Sequence, residues 1–425
     1  MARFTGIIGI IVILGLAFLW SNNRKAINYR LVFTGLGLQI ALAIFILKVP
    51  IGQEIFHWLG KAINKLLDFS QEGGSFVFGD LTKVQEILPP TIVSGGVFLF
   101  ILIPTIIFVC VLVAMAYHIG LMQRVVALIA RFVHWVMQVS GSEALSNVAS
   151  AFVGQVEAQI MIRPYLSGMT MSELLASMTG SMACIAGGVM AVYISMGVPA
   201  SYLLAASLMA APGALVISKI VYPETKVSET KGKVTVEVKK EHANIMDAIS
   251  HGASDGWKIS TNVIAMLIGV IALVALADAI LGYLGQLLSL LGASLDFIGL
   301  DIENLRLKDV FGLVFSLFAI IMGVPVAESF EVGSLMGTKM VINEFVAYTG
   351  LAPMIAANSL SPKAIVIASF ALCGFANFSS IAIQIGGIGA MAPTRKADLA
   401  RLGFKAMLCG TMASYISASL AGILL

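Results

Sequence analysis

The feature that most constrains this chain is a succession of apolar runs about as long as a bilayer-spanning helix, roughly 20 residues. Uninterrupted runs fall at 5–20, 30–49, 94–118, 199–222, 257–291 and 402–425, and two regions, 142–196 and 308–391, are apolar but broken by polar residues. Of the 425 residues, 59% are hydrophobic and 12% charged, whereas soluble domains carry roughly 25% charged residues. Too few charges remain to cover a water-facing surface. The net charge of +3 gives no sign of a nucleic-acid partner. Cys110, Cys184, Cys373 and Cys409 lie far apart inside apolar stretches, so neither a disulfide framework nor a zinc site is expected.

The first run is read as a retained span rather than a signal peptide, because its positive charges (Arg24, Lys25, Arg30) follow it and no small-residue cleavage site does. Basic residues set the orientation. With the N-terminus outside, the 21–30 loop, the Arg124/Arg131 segment, the Lys-rich 223–243 linker and the Arg395–Lys405 segment all fall inside. That parity requires each interrupted region to supply one full crossing and one hairpin that enters and leaves on the same face. The expected fold is an all-α integral membrane protein with eight transmembrane helices and two re-entrant hairpins in an inverted repeat, both termini outside. Amphipathic pieces at Gly52–Phe69 and Met122–Val139 suit helices lying in the interface.

The interrupted regions correspond. In the first, Leu145–Val153 meets Gly154-Gln155-Val156-Glu157, and a helix then opens at Thr170-Met171-Ser172-Glu173, a capping-box spacing. This helix is broken at Ala186-Gly187-Gly188. In the second, Val310–Gly323 meets Val324-Pro325-Val326-Ala327-Glu328, which is read as the hairpin tip, and the chain turns back through Asn343-Glu344. A helix opened by Ser361-Pro362 follows and is broken at Phe375–Ser380. Short, Gly- or Pro-interrupted apolar segments in corresponding halves point to a transporter's binding site.

Glu157 and Glu328 therefore stand out as carboxylates at membrane depth, where a charge costs at least ~2.5 kcal/mol on insertion scales. One reading is a structural ion pair, such as Glu157 with Arg163; the other is a ligand or coupling carboxylate at free helix ends. Gln155, Asn377 and Ser380 offer neutral donors and acceptors in the same breaks, suited to a polar, uncharged solute, although such groups also join helices to one another. Phe375 could stack on a flat ligand or simply pack. His57, His118, His134, His242 and His251 show no metal-ligand spacing. Ile385-Gly386-Gly387-Ile388-Gly389 follows no strand, so it is read as a site of close helix approach rather than a dinucleotide loop.

Gly154-Gln155-Val156-Glu157-Ala158, Ile185-Ala186-Gly187-Gly188-Val189, Asn343-Glu344-Phe345-Val346-Ala347-Tyr348 and Gly374-Phe375-Ala376-Asn377-Phe378-Ser379-Ser380 resemble the concentrative nucleoside transporter family, over essentially the whole chain. The resemblance implies a cation-coupled nucleoside importer of the inner membrane, without cofactor, working as a homotrimer in the lipid bilayer. An inner transport domain would move, elevator-like, against an outer scaffold. The corresponding division is 1–118 scaffold, 119–222 transport, 223–256 linker and interfacial helix, 257–305 scaffold, and 306–425 transport. Carried over by position, Gln155, Val156, Glu157 and Val189 would face the base. Glu328, Asn377 and Ser380 would hold the ribose, with Phe375 and Ile259 lining the pocket.

Three departures from the family pattern bear on this. Ser150 stands where sodium-coupled members have Asn, and Cys184 where they have Ser. A hard cation such as sodium prefers oxygen to a thiol. An ion site would keep the carbonyls of Val153, Cys184 and Ile185 and one hydroxyl. Proton coupling is accordingly favoured over sodium, with Glu328 or Glu157 as the proton carrier. Val156 and Gln159 replace a usual Ser/Thr and a frequent Pro, which bears on base selectivity. A membrane-embedded transferase is the alternative from another class, but the acidic or His clusters such enzymes place at the interface do not occur in the sequence.

Overall fold

The computed structural model describes residues 5–82, 98–231, 243–291 and 301–425. All regular elements among the described residues are helical. The start of the expected 94–118 span, most of the 223–243 linker and His242 lie outside them.

Three helices lead: α1 (Thr5–Leu19), α2 (Tyr29–Leu47) and α3 (Pro50–Phe78). A series of helices then occurs twice. The first comprises α4 (Phe98–His118), α5 (Leu121–Met137), α6 (Gly141–Ser150), α7 (Glu157–Ile160), α8 (Met171–Ala183), α9 (Gly187–Ser195) and α10 (Ala200–Val221). The second comprises α11 (Ile245–Leu290), α12 (Leu307–Met322), α13 (Val326–Val341), α14 (Glu344–Ala356), α15 (Pro362–Leu372), α16 (Phe378–Met391) and α17 (Lys396–Leu424). Each series runs from a long span through a second helix to a hairpin, a broken helix and a closing span.

Length and apolarity suit Tyr29–Leu47, Met171–Ser195, Ala200–Val221, Ile245–Leu290 and Pro393–Leu424 to crossing a membrane, and two further helix pairs pass the same test but bend by 75° (α4 and α5) and 119° (α12 and α13). The α4–α5 bend turns α5 aside. That helix buries Val126, Ala130, Val133 and Met137 and exposes Leu128, Phe132 and Trp135, the two-faced pattern of a helix lying along an interface. α3 has the same character, burying Gly52, Phe56 and Gly60 on one face, but runs to Phe78, well past the expected end at Phe69. α11 is continuous for 46 residues, a rise of about 69 Å, so the expected boundary between 256 and 257 falls inside a helix. It packs closely on α4, because a Cβ at Gly252 would come 2.8 Å from the Cys110 carbonyl oxygen and one at Gly256 2.5 Å from the Ile107 Cα.

The breaks form as local chemistry dictates. Thr170 and Glu173 complete a reciprocal capping box at the start of α8. Ser361 caps α15 with Pro362 at its first position. Asn343 and Asn377 accept backbone N–H bonds that open α14 and α16.

Polar ties bind the hairpins to the closing spans. Arg395, between α16 and α17, donates Nη1 to the carbonyls of Leu166 (3.3 Å), Ser167 (3.1 Å) and Met169 (2.5 Å) beyond the first hairpin, and Nε to Asp398 (2.8 Å). Lys219 at the end of α10 pairs with Glu143 in α6 and with Glu224, and donates to Ser172 Oγ at 2.8 Å. These contacts span elements far apart in sequence and tie the first hairpin and its broken helix to both closing spans.

Candidate functional site

The two broken helices meet at their breaks. The Phe375 N–H donates to the Cys184 carbonyl at 3.3 Å. Gly374 adopts φ +114°, and a Cβ there would stand 2.6 Å from the Ala183 carbonyl oxygen. Only glycine lets one break lie this close to the other.

A polar relay runs through the junction. Gln155 Nε2 donates to Ser380 Oγ (3.3 Å). The Ser380 N–H (2.9 Å) and the Ser379 hydroxyl (2.7 Å) donate to Asn377 Oδ1. Asn377 Nδ2 donates to Glu344 Oε2 (3.0 Å), and the Tyr193 hydroxyl to Glu344 Oε1 (3.1 Å). Gln384 approaches Gln155 Oε1 at 3.5 Å and donates to the Met178 carbonyl at 3.2 Å. Glu344, Asn377, Ser380 and Gln384 are all buried. Tyr193 also stacks on Tyr348, ring centroids 4.2 Å apart, which fixes the α9 half-helix against α14.

A cavity of about 840 Å³ adjoins the first hairpin, bounded by α4, α11 and the break between α8 and α9. Of the residues singled out by sequence, Val153, Glu157, Val189 and Ile259 line it. Glu157 is exposed there, its carboxylate tucked against Gly154. Arg163 lines the same cavity, yet among the described residues it forms no ion pair with Glu157. Val156 points elsewhere: its side chain packs where a Cβ on Gly387 would come within 2.6 Å, so this glycine does permit a close helix approach. Phe375 is half-buried at the junction.

Glu328 is not gathered with the others. Its Oε2 accepts from the Ser361 hydroxyl (2.7 Å) and N–H (3.2 Å), at the start of α15. Asn377 lies beyond the far end of that helix, whose 11 residues rise about 16 Å. The expected tip at Val324–Glu328 is thus the near end of α13, and the turn that meets the break is Ile342-Asn343. The carboxylate beside Asn377 is Glu344, not the expected Glu328. A signal was available: Glu157 and Glu344 are each the first residue of a hairpin's returning helix.

The residues of the supposed ion site are largely engaged. Ser150 Oγ donates to the Ser146 carbonyl (2.7 Å) and lies 3.0 Å from Ser181 Oγ. The Cys184 thiol donates to the Ser207 carbonyl at 3.5 Å. Gln159 is fully buried in the same cluster, donating Nε2 to Ser181 Oγ (2.6 Å) and accepting from Ser177 Oγ (2.5 Å). Hydroxyls and an amide fill one another's hydrogen-bonding needs there. Ile185 is buried beside it.

Comparison with known proteins settles the family. Residues 202–422 match the model of the Na+ dependent nucleoside transporter C-terminus, 8–81 that of its N-terminus, and 99–200 a nucleoside recognition "Gate" model. The chain belongs to the concentrative nucleoside transporter family. It is 40% identical to the uncharacterised transporter YutK of Bacillus subtilis (strain 168), over 98% of each chain. It is also 40% identical to sodium/nucleoside cotransporter 2 of Rattus norvegicus, covering all of this chain but 62% of that longer one. Among solved structures, CNTnw in an inward-facing substrate-bound state superposes with a TM-score of 0.91 at 38% identity, covering 100% of this chain and 98% of that one. Family membership makes the chain a membrane transporter and sets aside the transferase alternative.

Proposed function

We propose that the chain is a cation-coupled, concentrative nucleoside importer of the inner membrane, with both termini outside. The observation that carries this reading is the relay Gln155–Ser380–Asn377–Glu344, which joins the turns of both hairpins to the second break near a cavity of ligand size. Glu344, Asn377 and Ser380 hold the ribose hydroxyls: a carboxylate accepts from vicinal hydroxyls while the amide offers both donor and acceptor. Gln155 and Glu157 read the base edge, with Val189 and Ile259 as the apolar wall and Phe375 beside them.

The hairpins, broken helices and closing spans move together against a scaffold of α1–α4 and α11, in a homotrimer. The ties through Arg395 and Lys219, which join the first hairpin to both closing spans, support a rigid moving unit. Proton coupling is favoured, because Ser150 and Cys184 already donate to backbone carbonyls and Glu157 faces the cavity as a carboxylate able to take a proton. Sodium coupling with altered base selectivity is the second reading, favoured by the match to the Na+ dependent nucleoside transporter model and by the likeness to rat sodium/nucleoside cotransporter 2.

Proteoliposomes with imposed gradients test both. Labelled nucleoside should accumulate on a proton gradient alone and be indifferent to sodium at fixed pH and potential. Accumulation that follows sodium alone selects the second reading, and no accumulation with any nucleoside on either gradient defeats both.

A further inference from the structure

Lys339 is fully buried in the last turn of α13, and none of the described carboxylates lies within ion-pair distance of it. The other buried lysine, Lys219, has two carboxylate partners. Burying an ammonium without compensation is costly, so its placement needs a cause. Its Nζ donates to the Ala371 carbonyl at 3.1 Å, in the last turn of α15, where unpaired carbonyls make the helix end negative. Across the turn at Ile342-Asn343, five residues on from Lys339, stands Glu344, which is also buried. Lys339 thus holds one side of the α15–α16 break, and Glu344, bonded to Asn377, the other. The corresponding first break is packed by the neutral Gln159–Ser181–Ser150 cluster instead.

We propose that Lys339 is a built-in cation of the second break: bound to the end of α15 and balancing Glu344, it keeps that carboxylate charged and aimed at Asn377. Lys339 is a positioning residue, and its effect on substrate rests on the assignment of Glu344 to the ribose. Loss of the cation leaves a buried carboxylate unbalanced, whereas loss of both charges restores neutrality.

The test uses purified full-length protein. Binding of uridine and adenosine is measured for wild type and Lys339→Met, each against its 2′,3′-dideoxy analogue. Lys339→Met should weaken ribonucleoside binding roughly 10- to 100-fold and leave dideoxynucleoside binding nearly unchanged. In Lys339→Ala, methylammonium should restore the ribonucleoside preference and choline should not. Equal weakening of both ligand types, or an unchanged preference, would overturn the proposal. Thermal unfolding gives an arm that needs no nucleoside: the neutral double variant Lys339→Met/Glu344→Gln should melt above Lys339→Met alone. A double variant that melts lower, as two independent losses would, also overturns it. Wild-type protein that binds neither ribonucleoside would defeat the transport reading instead, while the melting comparison still reads the coupling of the two charges.

Discussion

Each half of the molecule opens the returning arm of its hairpin on a glutamate, and the two sit in different surroundings. Glu157 is exposed on a cavity wall and forms no ion pair among the described residues. Glu344 is buried and bonded to Asn377 and Tyr193, with the buried Lys339 just across the turn that precedes it. The same topological position has been put to two uses. A carboxylate on the wall of an open cavity is within reach of any solute that enters it. A buried carboxylate locked between an amide and a phenol is a fixed acceptor. The neutral packing behind the first break and the charged packing behind the second follow the same division.

Removing the second carboxylate should have the largest effect. Glu344→Ala or Asn377→Ala should reduce accumulation of labelled nucleoside by roughly 100-fold or more, since each strands a buried polar partner. Near-normal uptake in either would end the division of labour. Next in size, Glu157→Gln should keep ribose discrimination but uncouple uptake from the proton gradient. A fully proton-driven Glu157→Gln transporter would remove that residue from coupling.

The Gln159 cluster offers a sharper test of the first break. Opening it with Gln159→Pro, Ser150→Asn and Cys184→Ser together should introduce sodium stimulation of uptake. Continued indifference to sodium would place the source of ion choice elsewhere. The smallest effect is expected at Glu328. Glu328→Gln keeps an acceptor for Ser361 and should cost about 1 kcal/mol of stability or less, with uptake nearly intact. A loss of transport comparable to that of Glu344→Ala would restore Glu328 to the site.

Much of the architecture was legible in advance. The spans, the amphipathic helices after α2 and α4, the Thr170 capping box and the Ser361-Pro362 start all arise from contacts within a few residues, and local pattern carries them. The breaks near Gly187 and Asn377 were legible for the same reason. The family strings contain Asn343-Glu344, but Val324-Pro325 is the stronger local breaker and draws the expected hairpin tip to the proline. The outward turn of α5 and the engagement of Gln159 with two serines had no comparable local sign, since Gln159 meets partners on α8, across the hairpin.

The sequence by itself therefore determined that the chain spans a membrane in helices, that these are broken twice in matching places, and that the breaks carry the polar residues. Hydrophobic length, caps and glycines are properties of neighbours along the chain. Only the tertiary structure decided which carboxylate meets Asn377. Glu328 and Glu344 each find a partner 33 residues further on, Ser361 and Asn377, at opposite ends of α15. The direction in which α13 and α14 pack along that helix assigns one glutamate to its cap and the other to the break. That direction is set by the summed packing of whole helices, and no residue beside either glutamate encodes it.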